Sequence, residues 1–324
     1  VVPGGGVVHP PGELHEDKNG SQRSLLFRVR YGTDVSVFIK AWRDHPSWRR
    51  RPEDRALFGL PAALQAPAGL REVRVQTGGA RMKLLVANAN TTEAITALCA
   101  ATARAAAAPG TEIIPATPRF GPAVISTRAE NVVAGHALLE CLAEHAGQVD
   151  AVLLAVSHDT ALEAARSLLA CPVVGMTEAA CLTACLLGGR FGLVTMGMTE
   201  PYRERIAQYG LTERLAGLGA IAMTPPEALA DPEGAAAQLR AAIAELAGRG
   251  ADAVVLGGAA LAGMLPRVQP GAPVPLLDGI ACGVKLAEAL VALRLPKPQQ
   301  GSYAPPRGRA SGGLGPALTD LLRG

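Results

Sequence analysis

The sequence predicts an α/β protein made of two similar parallel-sheet α/β lobes related by a pseudo-two-fold axis, with an active-site cleft between them. Two observations lead there. From Met82 onward, short apolar runs alternate with amphipathic helical segments, the rhythm of parallel α/β structure. The body also repeats itself. Shifted by 102, "AVLLAV" from Ala151 falls on "AVVLGG" from Ala253; shifted by 101, Pro172-Val173 falls on Pro273-Val274 and Ala180-Cys181 on Ala281-Cys282. "NTTEA" after the first strand is likewise matched by "GMTEP" after "FGLVTM".

Taken in order, "KLLVAN" (83–88) reads as a strand. Thr91 or Thr92 can cap the following helix, where Ile95, Leu98, Cys99 and Thr102 share one face. "TEIIPA" is a short strand, and "RAENVVAGHALLECLAEHAG" an amphipathic helix ended by Gly147. His136 and His145 on that helix read as solvated or packed. "AVLLAV" is the next strand, followed by a helix, by "PVVGM" and by the helix holding Cys181. "FGLVTM" opens the second series. "GAAAQLRAAIAELAGRG" is a helix, "AVVLGG" and "VPLLDG" are strands, and "IACGVKLAEALVAL" is a helix. A loop and a short terminal helix complete the chain. The first lobe is expected over 82–187, joined by the C-terminal segment 273–324, and the second over 188–272.

Residues 1–81 read differently. They begin proline- and glycine-rich, with "RSLLFRVRYGTDVSVFIKAW" as a hairpin or strand pair and "RDHPSWRRRPEDR" as a charged break. A poorly ordered or accessory extension is expected. It holds 13 Lys/Arg and 8 Asp/Glu (net +5), leaving 18 and 20 (net −2) for the body. A nearly neutral body offers no basic face for nucleic acid. No apolar run reaches the roughly 20 residues of a membrane span, and no signal-peptide core opens the chain. The six cysteines form no CxxC pair and read as small buried residues in a reducing cytoplasm. No glycine-rich nucleotide loop and no metal-ligand cluster is present, so no nucleotide, metal or other cofactor is expected.

Ligands of open parallel sheets bind beyond the carboxyl ends of strands. Two facing lobes place Val156 to Asp159 and Gly258 to Leu261 on opposite sides of one cleft. Ser157, His158 and Asp159 are therefore the catalytic candidates: His158 as a base, since its ordinary pKa lies near 6.5, Ser157 as a donor to a carboxylate or enolate oxygen, and Asp159 as an orienting group. Ser157 and Asp159 equally suit helix capping. Asn88, Asn90, Thr91 and Thr92 are candidates for binding a carboxylate or imide carbonyl, or else for capping and Asx turns. Gly257 and Gly258 allow backbone N–H groups close to a ligand, or close packing of helix on sheet.

"KLLVANANTTEAI", "GPAVI", "PVVGMTEAACLTACLLGGRFGLVT", "YGLTERLAG", "AVVLGGAALAGM" and "VPLLDGIACGVKLAEALVAL" resemble the hydantoin and allantoin racemases of the aspartate/glutamate racemase superfamily, in order, over about residues 82–305. The resemblance implies a cofactor-independent racemase of a small amino-acid derivative and leaves a homo-oligomer open. It also implies a catalytic thiol at a strand end in each lobe. Here Val156 and Gly258 stand in those places, so the two-thiol mechanism does not carry over. Three readings follow: a racemase or isomerase using His158, a one-base enzyme such as a decarboxylase or tautomerase, and a catalytically inactive small-molecule binding protein on the same scaffold.

Overall fold

Continuous apolar runs set the centre of each sheet. In the computed structural model, which describes residues 15–19, 22–31, 35–42 and 82–324 apart from 307 and 309, residues 1–78 and 79–324 form two separate units. In the first, β1 (His15–Asn19), β2 (Gln22–Tyr31) and β3 (Val35–Trp42) make an antiparallel sheet. The β2–β3 pairing is the expected hairpin, with Tyr31 opposite Val35. The charged break after Trp42 lies outside the described residues.

The body begins with β4 (Met82–Ala87), α1 (Glu93–Ala106), β5 (Thr111–Ala116), α2 (Arg128–Glu144), β6 (Ala151–Leu154), α3 (Leu162–Leu168), β7 (Val173–Gly175) and α4 (Met176–Leu187). It continues with β8 (Phe191–Met196), α5 (Glu200–Gln208), β9 (Leu215–Ile221), α6 (Pro225–Ala230), α7 (Pro232–Gly248) and β10 (Ala253–Leu256). The last elements are α8 (Leu265–Val268), β11 (Leu276–Asp278), α9 (Gly279–Leu293) and α10 (Pro316–Arg323). Two four-stranded parallel sheets result, β5-β4-β6-β7 and β9-β8-β10-β11, with the same strand order.

Every residue of β6 and β10 is buried, as in central strands covered by helices on both faces. Side chains alternate between those faces. Leu84, Val86, Ala151 and Leu153 pack with α1 and α9, whereas Leu85, Ala87, Val152 and Leu154 pack with α2 and α3. In the second sheet Val194, Val254 and Leu256 meet α7, and Leu193, Ala253 and Val255 meet α4 and α5. The start of α2 is fixed by Thr127, whose side chain accepts from the Glu130 N–H while Glu130 returns a bond to the Thr127 N–H.

Three differences from the sequence reading have physical causes. First, β9 was not expected: Gly217 and Gly219 interrupt any alternation in "LAGLGAI", and the strand pairs on one side only. Second, the repeat is offset. Val152 pairs with Val173 and Val254 with Leu276, so the β7–β11 shift is 103 and Pro172 is matched by Pro275. Since α4 starts at Met176 and α9 at Gly279, Cys181 corresponds to Val284 rather than Cys282. Sheet pairing does support the other match: Ala87 pairs with Leu154 as Val194 pairs with Leu256, which sets Thr92 on Thr199 and the start of α1 on the start of α5. Third, β11 belongs to the second sheet. The chain rejoins the first lobe with α9, whose Ile280, Val284 and Ala287 pack against Leu153 and Leu84, later than the expected residue 273.

Candidate functional site

Adjacent strands deliver the predicted residues to one edge. Beyond β4 and β6 the pairing continues through the Ala155 N–H donating to the Ala87 carbonyl at 2.8 Å, so Asn88 and the 157–159 segment emerge side by side. In the second sheet the Gly257 N–H donates to Val194 at 2.7 Å. The two strand-end segments meet: the Ala259 N–H donates to Ser157 Oγ at 3.2 Å. The lobes are thus in direct contact where a cleft was expected. Two cavities, of about 500 and 530 Å³, lie elsewhere, both against α2 and the C-terminal segment. His136 lines both of them, packs edge-on against Phe120, and pairs with Glu140 at 3.4 Å.

Each candidate has a definite environment. Asp159 is fully buried and faces a helix end instead of open space. Oδ1 accepts from the Thr177 N–H at 3.1 Å; Oδ2 accepts from the Glu178 N–H at 2.8 Å and the Tyr209 hydroxyl at 2.5 Å. Asp159 therefore caps α4 from a distant loop, a placement that suits the positive end of the helix dipole. Gly175 makes it feasible: a Cβ there would lie 2.3 Å from the Asp159 carboxylate. The corresponding residue of the second lobe, Asp278, caps its own helix α9 by accepting from Ile280 and Ala281. Burial pushes the Asp159 carboxyl up to about 6, although Tyr209 and the two backbone N–H groups pull it down.

His158 is partly buried, with its ring edge-on to Tyr202, centroids 5.2 Å apart. Burial first, and the nearby Arg205 guanidinium second, hold its pKa below the ordinary value. At neutral pH it is an uncharged imidazole, the form able to take a proton. Val156 is buried among α2 and α3 residues.

The Asn88 to Thr92 loop is largely occupied with itself. Asn88 is buried; its amide donates to Asn90 Oδ1 at 2.8 Å and Thr96 Oγ1 at 3.2 Å, and its Oδ1 accepts from the Asn90 N–H. Asn90 Oδ1 also accepts from the Thr92 N–H at 2.9 Å. The Thr91 N–H donates to Pro122, and Thr92 Oγ1 to Ala123. Asx-turn structure accounts for these residues, apart from the Thr91 side chain and the Asn90 amide nitrogen. Gly257 packs tightly, since a Cβ there would lie 2.9 Å from Leu193 and 3.1 Å from Tyr202. Gly258 has φ +143°, a backbone conformation that favours glycine.

The side of the site contributed by α5 escaped the sequence reading. Tyr202, Arg205 and Tyr209 lie at i, i+3 and i+7, one helix face running into the C-cap. Tyr202 meets His158, Arg205 pairs with Glu163 at 2.9 Å, and Tyr209 donates to Asp159. Arg128 and Glu204 add a bidentate pair at 2.8 and 2.6 Å. The periodicity of "PYRERIAQY" was the available signal.

None of the surviving cysteines stands at the two strand ends where the missing pair would be. All six are free thiols. Burial pushes Cys99 up to about 12 and Cys141 and Cys282 to about 11, and raises Cys171 and Cys181 as well. Cys181 and Cys282 border the same apolar cluster under α4 and are packing residues. Among the described residues no group of three or more His, Cys, Asp or Glu could hold a metal ion, and no helix is long and apolar enough to cross a membrane.

Paired parallel sheets of like order, joined where their central strands end, define a two-lobed α/β protein. The sequence matches the Asp/Glu/Hydantoin racemase family over residues 84–287. The hydantoin racemase of Paenarthrobacter aurescens is 31% identical over 230 residues, covering 69% of this chain and 98% of that protein. The allantoin racemase of Pseudomonas fluorescens superposes with a TM-score of 0.69 at 34% identity, covering 72% of this chain and all of the other. That of Klebsiella pneumoniae gives 0.69 at 35% identity, covering 73% and 98%. The chain belongs to the Asp/Glu/hydantoin racemase family.

Proposed function

We propose that this protein is a cofactor-independent isomerase acting at the α-carbon of a small hydantoin-like substrate, with His158 as the base. The observation that carries the reading is the placement of His158 against Tyr202 at the junction of the two strand ends, where burial holds its pKa down, in a chain whose relatives are hydantoin and allantoin racemases. The α-proton of such a ring is acidified by the adjacent carbonyl. The imidazole nitrogen of His158 takes that proton and the C–H electron pair enters the carbonyl as an enolate. The imidazolium returning its proton to the same face regenerates the starting enantiomer. A water delivering a proton to the opposite face, with the imidazolium neutralising the hydroxide left behind, gives the inverted product. Ser157 is placed to donate to the enolate oxygen, and the Ala259 N–H beside it marks the second lobe's contribution. Asn90, Thr91 and Gly258 remain the substrate-binding candidates, since the Gly257 N–H is taken up by Val194. The Ser157–Ala259 contact must open for a ring to enter, as in enzymes that close over their substrates. The free thiols fit a cytoplasmic setting.

The test is deuterium uptake at the α-carbon of 5-substituted hydantoins and allantoin in D2O. Uptake should occur without added metal or cofactor and fall by about 10²–10⁴-fold in His158→Ala. Because the base must be uncharged, the rate should rise with pH along a limb centred below 6.5 and then level off. Uptake undiminished in His158→Ala would remove His158 from the role. Calorimetric binding of the same compounds without uptake would favour the second reading, a binding protein on this scaffold, which the absence of both family thiols at Val156 and Gly258 supports.

A further inference from the structure

The second lobe reaches the 157–163 segment mainly through α5, and one residue of that helix packs its ring against the candidate base. Tyr202 is 4% exposed. Its ring stands edge-on to His158 at 5.2 Å with an interplanar angle of 64°. Ser157, the neighbour of His158, is held at the same junction by the second lobe, whose Ala259 N–H donates to its Oγ at 3.2 Å. The other side of the ring leaves no room for movement, because Gly257 lies against it with space for no side chain. The helix is itself pinned to the first lobe on the C-terminal side of this contact, by Arg128–Glu204, Arg205–Glu163 and Tyr209–Asp159. Pairing of the two sheets sets Tyr202 on Ile95, so the first lobe presents no equivalent hydroxyl to the second.

We propose that Tyr202 is the positioning residue of this site: its ring, brought from the second lobe, fixes the orientation of the His158 imidazole. An edge-to-face ring contact is directional, so it favours one orientation of the imidazole over the rotations its terminal torsion otherwise allows. Burial pushes the Tyr202 phenol pKa up, so it acts through its ring packing rather than as a second base. The proposal rests on His158 being the base only for its effect on turnover; the packing itself stands apart from that reading.

The groups facing His158 are Tyr202 and Arg205 from α5, the latter paired with Glu163, while Asp159 on its own loop turns its carboxylate to the end of α4. The experiment combines NMR of the histidine ring with deuterium-uptake kinetics on the full-length protein, in the wild type, Tyr202→Phe and Tyr202→Leu. The wild type should show a nuclear Overhauser contact between the His158 and Tyr202 rings. Tyr202→Phe should keep that contact and the His158 titration midpoint. Tyr202→Leu should raise the midpoint toward 6.5, move the acidic limb of the rate profile by the same amount, and lower kcat at least tenfold with KM changed less than threefold. A missing ring contact in the wild type overturns the proposal without any variant having to fold. So does a folded Tyr202→Leu protein with an unmoved His158 midpoint. A shifted midpoint in a protein whose wild type takes up no deuterium would support the positioning role and refute the isomerase reading.

Discussion

Asp159 shows how a residue of a catalytic type becomes a structural one. Ionising it inside the protein costs about 3 kcal/mol, the shift from 3.8 to about 6 converted at about 1.4 kcal/mol per unit. Its native pKa is raised, so its contribution to stability is fully present below 3.8 and is lost as pH rises through 6. His158 has the opposite sign: its lowered pKa makes stability present above 6.5 and lost as pH falls through the depressed value. Between those limits the two oppose each other. Removing the Tyr209 hydroxyl should unmask the burial effect: in Tyr209→Phe the Asp159 carboxyl should titrate above 6 by carbon-detected NMR, and the protein should lose about 1–3 kcal/mol in urea unfolding at pH 7. Gly175→Ala tests the same contact by sterics. Its new methyl group would overlap the carboxylate, so a loss of about 1–3 kcal/mol is expected, and a neutral result would show that the cap can move aside.

At the scale of elements, β6 is the strand on which the first lobe depends. Leu153 is fully buried and reaches close enough to α9 that a Cβ on Gly283 would overlap it. Leu153→Ala should cost about 2–5 kcal/mol by thermal or chemical denaturation. Strands such as β6 and β10 were legible because each is a continuous apolar run between turn residues. The glycine-interrupted β9 was not, because it has neither run nor alternation and gets its definition from pairing with β8. The site was half legible. Ser157, His158 and Asp159 sit at a strand end, as the apolar run before them indicates, but the Asp159 cap joins residues 18 or 19 apart in sequence through a tertiary contact. Tyr202, Arg205 and Tyr209 carry a helical period, yet nothing local says which loop that face meets. The duplicated cysteine and proline pairs misled by two residues, because "PV" recurs at 273 beside the true counterpart Pro275.

For the molecule as a whole, equal strand orders frame two unequal half-sites. Where the first lobe's strand end meets Tyr202, the second lobe's Ala259 borders an apolar cluster together with Ile95. One half has titratable groups and the other has methyl groups. If His158 works alone, a bound enantiomer whose α-proton faces it should exchange with solvent deuterium faster than it inverts, and its mirror image should not. Polarimetry run beside deuterium uptake measures both, and equal rates from both enantiomers would require a second base. The body also carries its own core, in which the clusters of both sheets are built from residues after Met82. A chain beginning at residue 79 should unfold with the same midpoint as the body of the longer protein, by calorimetry.

The face of α5 that grips residues 157–163 makes its contacts within two turns of one another, on a single rigid rod. Such a grip cannot loosen piecemeal: the tyrosine at either end and the arginine between them must let go together. Admission of a ligand would then be an all-or-none event, to which added salt contributes by screening the half-exposed Arg205–Glu163 pair more than the two tyrosine contacts.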